Sequence, residues 1–211
     1  NTYSYGIYAN DDIAITGGSL GASGGKTEFD SYGIYSYGGN VSISAGEVTA
    51  TGGEADYDSY GICAENGGVT ISDNAVRVKA TGGAATAISS GSYAASYGIY
   101  AEDSVAISAG AVEATGGEAD YDSYGIYAVN NVTISGNTGK VTAQGGQADD
   151  ESSGIRTSEG NITIPPGEVT ATGVVANDDT GDSYGIYANG DGNITISGGT
   201  VKAQGGVAAS G

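Results

Sequence analysis

The sequence predicts an all-β fold, a right-handed parallel β-helix with three strands per coil and about seven coils. Three observations predict it. Gly-Ile recurs seven times, with Ile at positions 7, 34, 62, 99, 126, 155 and 186, so successive spacings are 27, 28, 37, 27, 29 and 31 residues. A period of that size marks a solenoid, whose units bury their apolar faces only by stacking. Within each unit apolar and polar residues alternate with a period of two over short runs separated by Gly and Asn, the pattern of strands and turns. No apolar run of helical period and length occurs anywhere.

Ser31 to Asp58 serves as the example unit. Ile34 lies in the first strand, Val41 and Ile43 in the second, Val48 and Ala50 in the third. The second-strand pairs are Ile13/Ile15, Val41/Ile43, Val69/Ile71, Val105/Ile107, Val132/Ile134, Ile162/Ile164 and Ile194/Ile196. The third-strand pairs read Leu20/Ala22, Val48/Ala50, Val76/Val78, Val112/Ala114, Val141/Ala143, Val169/Ala171 and Val201/Ala203. A Gly-Gly pair follows in every copy but one, where Gly173-Val174 stands. Each strand pairs with its copy one rung away, at ~4.8 Å. The right hand is that of other parallel crossovers. The whole of 1–211 reads as one β-helix domain. It begins and ends inside the repeat, as expected of a processed product or a segment of a longer chain.

Asn40, Asn131, Asn161 and Asn193 each precede a second strand. Asn tolerates the left-handed conformation of a tight bend, and stacked amides can bond along the rod. Each is also an Asn-x-Ser/Thr sequon, so glycosylation is the second reading.

Composition removes several classes of function. The chain has 211 residues, a formal charge of −19, six Lys and Arg, no His and one Cys. Without His, and with Cys63 alone, the usual transition-metal sites, disulfide frameworks and nucleophilic triads are absent. Nucleic acid is excluded as a partner, since phosphate binding needs clustered cations. No 18-residue apolar stretch is present to span a membrane.

Two columns remain as candidate sites. Tyr8, Tyr35, Tyr100, Tyr127 and Tyr187, with Cys63 and Arg156 in the two variant copies, follow the inward Ile and are expected to face outward. An exposed aromatic stripe suits the flat faces of sugars; stacked rings also stabilise a parallel ladder without any ligand. Tyr5, Tyr32, Tyr60, Tyr97, Tyr124, Ser153 and Tyr184 share the inward parity of the Ile and are expected at a half-buried corner. The second candidate is acidic. Asp30, Asp58, Asp122, Glu151 and Asp182 occupy one register position, within the runs Glu28–Asp30, Glu54–Asp58, Glu118–Asp122, Asp149–Glu151 and Asp178–Asp182. Carboxylates ~5 Å apart repel by about 1 kcal/mol in water and about 3 kcal/mol at an effective dielectric of 20. Splayed side chains or bound cations would relieve this, and hard oxygen ligands favour calcium. A solvated acidic edge that blocks aggregation is the alternative. The insertion Ala87 to Ala95 interrupts the column and puts Ala95 where Asp is expected.

Catalysis finds little support. A glycosidase needs two carboxylates across a cleft, one of them held protonated. A calcium-dependent lyase needs a basic side chain beside the ion, and Arg156 near Glu151 is a single coincidence. An ice-binding face needs an uncharged Thr-x-Thr array, which Lys79, Glu113 and Lys202 interrupt.

The string Gly185-Ile186-Tyr187-Ala188 followed by Asn193-Ile194-Thr195-Ile196-Ser197-Gly198-Gly199-Thr200-Val201 resembles repeats in secreted proteins of Gram-positive anaerobes. The asparagine column likewise resembles the ladder of pectate-lyase-type β-helices. Some of the repeat proteins are calcium-dependent carbohydrate-binding β-helices that recognise acidic plant polysaccharides. The resemblance covers nearly the whole chain, Cys63 and Arg156 departing from it. It implies a secreted or surface-displayed protein that binds a polysaccharide or cell-surface glycan, with calcium as cofactor. The rival expectation is a structural stalk or adhesin segment whose partner is a host or bacterial surface protein, and a polysaccharide lyase is the third.

Overall fold

The structure is a computed structural model that describes residues 2–72, 76–87, 93–136, 139–177 and 181–206. Asp178, Asp179 and Thr180 of the acidic run, and 88–92 of the insertion, lie outside the described residues. The first coil contains Ser4–Ala9 (β1) and Ile13–Ser23 (β2), the second Ser31–Ser36 (β3) and Val41–Thr51 (β4). The third has three strands, Ser59–Ala64 (β5), Val69–Ile71 (β6) and Arg77–Thr81 (β7). The fourth has Ser96–Ala101 (β8), Val105–Ile107 (β9) and Ala111–Thr115 (β10); the fifth Asp122–Ala128 (β11), Val132–Ile134 (β12) and Lys140–Gln144 (β13). Glu151–Thr157 (β14), Ile162–Ile164 (β15) and Glu168–Thr172 (β16) form the sixth, and Asp182–Ala188 (β17), Ile194–Ile196 (β18) and Thr200–Gln204 (β19) the seventh. Among the described residues there is no helix.

The first strands stack as a seven-stranded parallel sheet in the order β1-β3-β5-β8-β11-β14-β17, seven rungs with six turns between them. The second and third strands form two further columns, joined into one sheet through β4. In the first two coils these strands are continuous instead of separate. The two runs lie five positions apart in both coils (Ile15 to Leu20, Ile43 to Val48), and Gly18 and Gly46 take φ of +84° and +97° at the bend. Matched lengths let the ladder run through the corner, with small register shifts. In the third and fifth coils the runs lie seven positions apart (Ile71 to Val78, Ile134 to Val141) beside neighbours at five, and the second and third strands of those coils are separate. Between the sixth and seventh coils the lengths match, but Pro165 and Pro166 remove two donors.

One register differs from expectation. Val78 and Ala80, not Val76 and Val78, pair with Val48 and Ala50. The two extra residues in that connection shift the strand, and Val76 is buried in the connection itself. A fourth, minor column joins Thr27, Ala55, Ala85 and Ala119, and again Ala148 and Ala176, through single bridges. These small residues are buried, and Ala55 and Ala119 lie between two acids.

The interior is one continuous cluster of Ile, Val and Ala from all three columns. Ile34, Ile62, Ile99, Ile126 and Ile155 have no exposed surface, and the third-strand Ala narrows that side.

Two polar ladders complete the frame. Asn131 Oδ1 accepts the Asn161 backbone N–H at 2.9 Å, and Asn161 Oδ1 accepts that of Asn193 at 2.9 Å. Asn40 does the same for Gly68, and Asp12 for Asn40. The second ladder was not anticipated. Ser31, Ser59, Ser96, Ser123 and Ser152 are fully buried. Ser59 Oγ donates to Gly53 O of the preceding coil at 2.8 Å and accepts the Gly83 N–H of its own at 2.8 Å. This bridge explains the Gly-Gly pair: a Cβ on Gly52 would strike Ser59 Oγ, and one on Gly53 would lie 2.5 Å from Gly25 O.

Candidate functional site: the tyrosine and carboxylate face

Every tyrosine lies on the first-strand column or in the corners beside it. The two tyrosine columns share the outer face, which corrects the inward parity expected for Tyr5, Tyr32, Tyr60, Tyr97, Tyr124 and Tyr184. The ladder pairs Ser31, Tyr32, Ile34, Tyr35 and Ser36 with the next coil and skips Gly33. A Cβ on Gly33 would lie 2.6 Å from Thr51 N and from Gly61 O, so this residue packs against the third strand. Gly33 and Ile34 therefore both face inward, a kink repeated in the next coil at unchanged register that reverses the alternation. Tyr32 and Tyr35 emerge on the same side with ring centroids 4.3 Å apart.

The rings occupy one another. Tyr32 stacks on Tyr60 at 4.9 Å and 3°, Tyr60 on Tyr97 at 4.8 Å and 4°, and Tyr100 on Tyr127 at 5.5 Å and 4°. Each such pair contributes about 0.5–1.5 kcal/mol beyond its buried area. Tyr35 is consequently buried, and Tyr100, Tyr127 and Tyr187 are half-buried with their faces against other rings. The expected row of open faces is thus closed along most of the rod. Tyr8 remains 48% exposed. Cys63 takes the tyrosine position in the third coil, fully buried between Tyr35 and Tyr100. Burial pushes its thiol well above the usual range.

The acidic column stands beside the tyrosines, as the register requires. One oxygen of each Asp accepts the hydroxyl of the tyrosine two residues on: Tyr60 to Asp58 at 2.8 Å, Tyr124 to Asp122 at 2.7 Å, Tyr184 to Asp182 at 2.8 Å and Tyr32 to Asp30 at 3.1 Å. The other oxygen accepts a backbone N–H from the next coil: Asp30 from Asp58 at 3.0 Å, Asp58 from Ala95 at 2.8 Å and Asp122 from Glu151 at 3.1 Å. Asp30, Asp58, Asp122 and Glu151 are partly buried and only Asp182 is exposed. Desolvation raises all four partly buried carboxyls, Asp58 to about 6 and Glu151 to about 7. Calcium takes six to eight oxygens. Among the described residues no three such side chains converge, and the ladder oxygens are engaged by protein donors. The column as folded does not fit a calcium cage.

The sixth coil rebuilds this unit with different residues. Ser153 replaces a tyrosine, Arg156 replaces the other, and Glu151 replaces Asp. The Arg156 guanidinium lies 5.2 Å from the Tyr124 ring centroid, 5.7 Å from Tyr127 and 5.6 Å from Tyr187, filling the space the missing rings leave. Its Nε is 3.3 Å from Glu151 Oε1, and its Nη1 donates to the Tyr124 hydroxyl. We expect Arg156→Ala to cost about 3 kcal/mol near pH 8, because it strands the Glu151 carboxylate. At pH 5, where Glu151 can take up a proton, the loss should shrink. Urea denaturation at the two pH values checks this; an equal loss at both would make the role of Arg156 one of packing alone.

The face is open at the end rung of the stack and the coil beside it, as it also is at Tyr93, 66% exposed. Tyr3, Tyr5, Tyr8 and Tyr37 are 51%, 38%, 48% and 54% exposed. With Tyr32, Tyr35, Asp30 and Glu65 they line a cleft of about 370 Å³. Glu65 accepts the Tyr35 hydroxyl, and burial raises its carboxyl. Tyr3, Tyr37 and Glu65 lie outside the recurring positions, so periodicity alone does not find them.

The stacked rungs, their polar ladders and the repeat define a parallel β-helix repeat protein. The beta helix repeat profile matches residues 41–62, 132–155 and 194–211, and each match starts on the first residue of a second strand, Val41, Val132 or Ile194. No curated protein and no solved structure matches the chain.

Proposed function

We propose that this β-helix is a non-catalytic, secreted or surface-displayed protein that binds a polysaccharide on its tyrosine face. The cleft among Tyr3, Tyr5, Tyr8 and Tyr37 carries this reading, since it combines four exposed rings with Asp30 and Glu65. Aromatic rings pack on the apolar faces of sugars, and carboxylates accept their hydroxyls. The carboxylates with the highest proton affinity, Asp58 and Glu151, belong to one column beneath the tyrosines and do not face each other across a cleft, which supports binding without hydrolysis. A glycan array probed with the chain, with calcium and with chelator, tests the reading. We expect bound glycans, and a loss of roughly tenfold, about 1.4 kcal/mol, for Tyr37→Ala or Tyr8→Ala. An array without binding, or variants that bind as well as the parent, would contradict it.

The stalk reading rests on a different observation. The tyrosines, carboxylates, serines and asparagines satisfy one another along most of the rod. A negative array would leave that reading standing.

A further inference from the structure

The charge of the rod is unevenly placed. Six Lys and Arg stand against 25 Asp and Glu. Four of the six, Arg77, Lys79, Lys140 and Lys202, project from the outer face of the third-strand column, away from the tyrosines. The ladder aligns Glu47, Arg77, Ala111, Lys140 and Glu168 in one row of that face. The next outward row holds Thr49, Lys79, Glu113 and Thr142. A groove of about 350 Å³ opens over Ala111, with Arg77 and Lys140 on its flanks. Lys79 is 3.2 Å from Glu113, and Lys140 is 3.4 Å from Glu168. Among the described residues Arg77 makes no ion pair.

We propose that this groove is an oxyanion site, in which one carboxylate or sulfate group of a hydroxyl-rich ligand sits over Ala111 between Arg77 and Lys140. Two rungs separate the cations, roughly 10 Å between their backbones, so both long side chains can converge over the short Ala111. The planar fork of Arg77 suits two oxygens of one anion, and Lys140 supplies a point charge opposite. Glu47 and Glu113 also line the groove, Glu113 paired with Lys79 and Glu168 with Lys140, so a second anion beside the first is penalised. The site therefore takes an isolated charge and disfavours dense polyanions. Thr49 and Thr142 offer hydroxyls to the neutral remainder of the ligand. This site is on a different face from the tyrosine cleft and does not depend on it.

Titration of the isotopically labelled chain by NMR tests the proposal, with glucuronate, a glucose sulfate and neutral glucose as probes at matched ionic strength. The expected result is saturable shifts at Arg77, Ala111 and Lys140 with the charged sugars and none there with glucose. The stronger of the two charged probes identifies carboxylate or sulfate as the preferred group. Arg77→Gln should weaken binding about tenfold, the value of one charge-assisted bidentate contact. Ala111→Glu, at an exposed position, places a carboxylate in the groove, and should abolish binding while raising the melting temperature at low salt. Equal responses to glucose and glucuronate, shifts of the same size at Lys26 and Lys202, or unchanged binding by Ala111→Glu would overturn the proposal.

Discussion

Ile126→Asp should unfold the middle of the rod. Ile126 has no exposed surface and stacks between Ile99 and Ile155 in the inward column. An aspartate there has no partner among the Ile, Val and Ala that surround it. Leaving a charge unpaired in such a place costs several kcal/mol, a large share of the stability of a domain. In a one-dimensional array each rung holds only its neighbours, so the damage should begin in the fourth to sixth coils. Hydrogen exchange should show protection lost first in β8, β11 and β14. Ile126→Val, which removes one methylene group, should cost only about 1 kcal/mol. An aspartate variant that melts with the parent would mean that the inward column is not the core.

The second large effect is a stability that falls as pH rises. Burial lifts the Glu151 carboxyl from an ordinary 4.5 to about 7 and that of Asp58 from 3.8 to about 6. A folded state with raised carboxyl affinities binds more protons than the unfolded chain between those values. Stability therefore decreases with pH through that window. It is greatest below about pH 4, where both states are protonated, and the contribution is gone above about pH 7. Each of the two groups accounts for about 1–3 kcal/mol, and the −19 net charge acts in the same direction. The melting temperature should rise from pH 8 to pH 5. Glu151→Gln should flatten the curve by raising stability at pH 8, with little change at pH 5. A melting temperature that falls on acidification would reverse the sign of the effect.

Much of the fold is legible in the sequence because stacking makes every position repeat. The inward Ile, the asparagine ladder and the acidic register follow from that periodicity. What escapes it is local. The kink at Gly33 reverses the parity of Tyr32, and no count of alternating residues reveals it; the signal is the glycine that precedes the inward Ile in every copy. Val76 was misplaced because a two-residue insertion preserves an apolar pattern while shifting the register. The serine ladder was hidden because Ser at a strand start reads as a surface residue. The acidic residues share one register position, and the chemistry of that column depends on the Tyr60 and Tyr124 hydroxyls two residues on, which ordinary alternation puts on the same face. Arg156, which in the sequence stands as a single coincidence near Glu151, is one part of a three-residue replacement with Glu151 and Ser153.

Tyrosine hydroxyls and backbone N–H groups already engage the oxygens of this acidic column, and we propose that it needs no metal ion. A carboxyl-carbon NMR titration of Asp58 and Glu151, run with chelator and again with millimolar calcium, checks this. Midpoints near 6 for Asp58 and near 7 for Glu151, the same in both series, are the expected result. Midpoints in the ordinary carboxylate range, or midpoints that calcium drives downward, would contradict it.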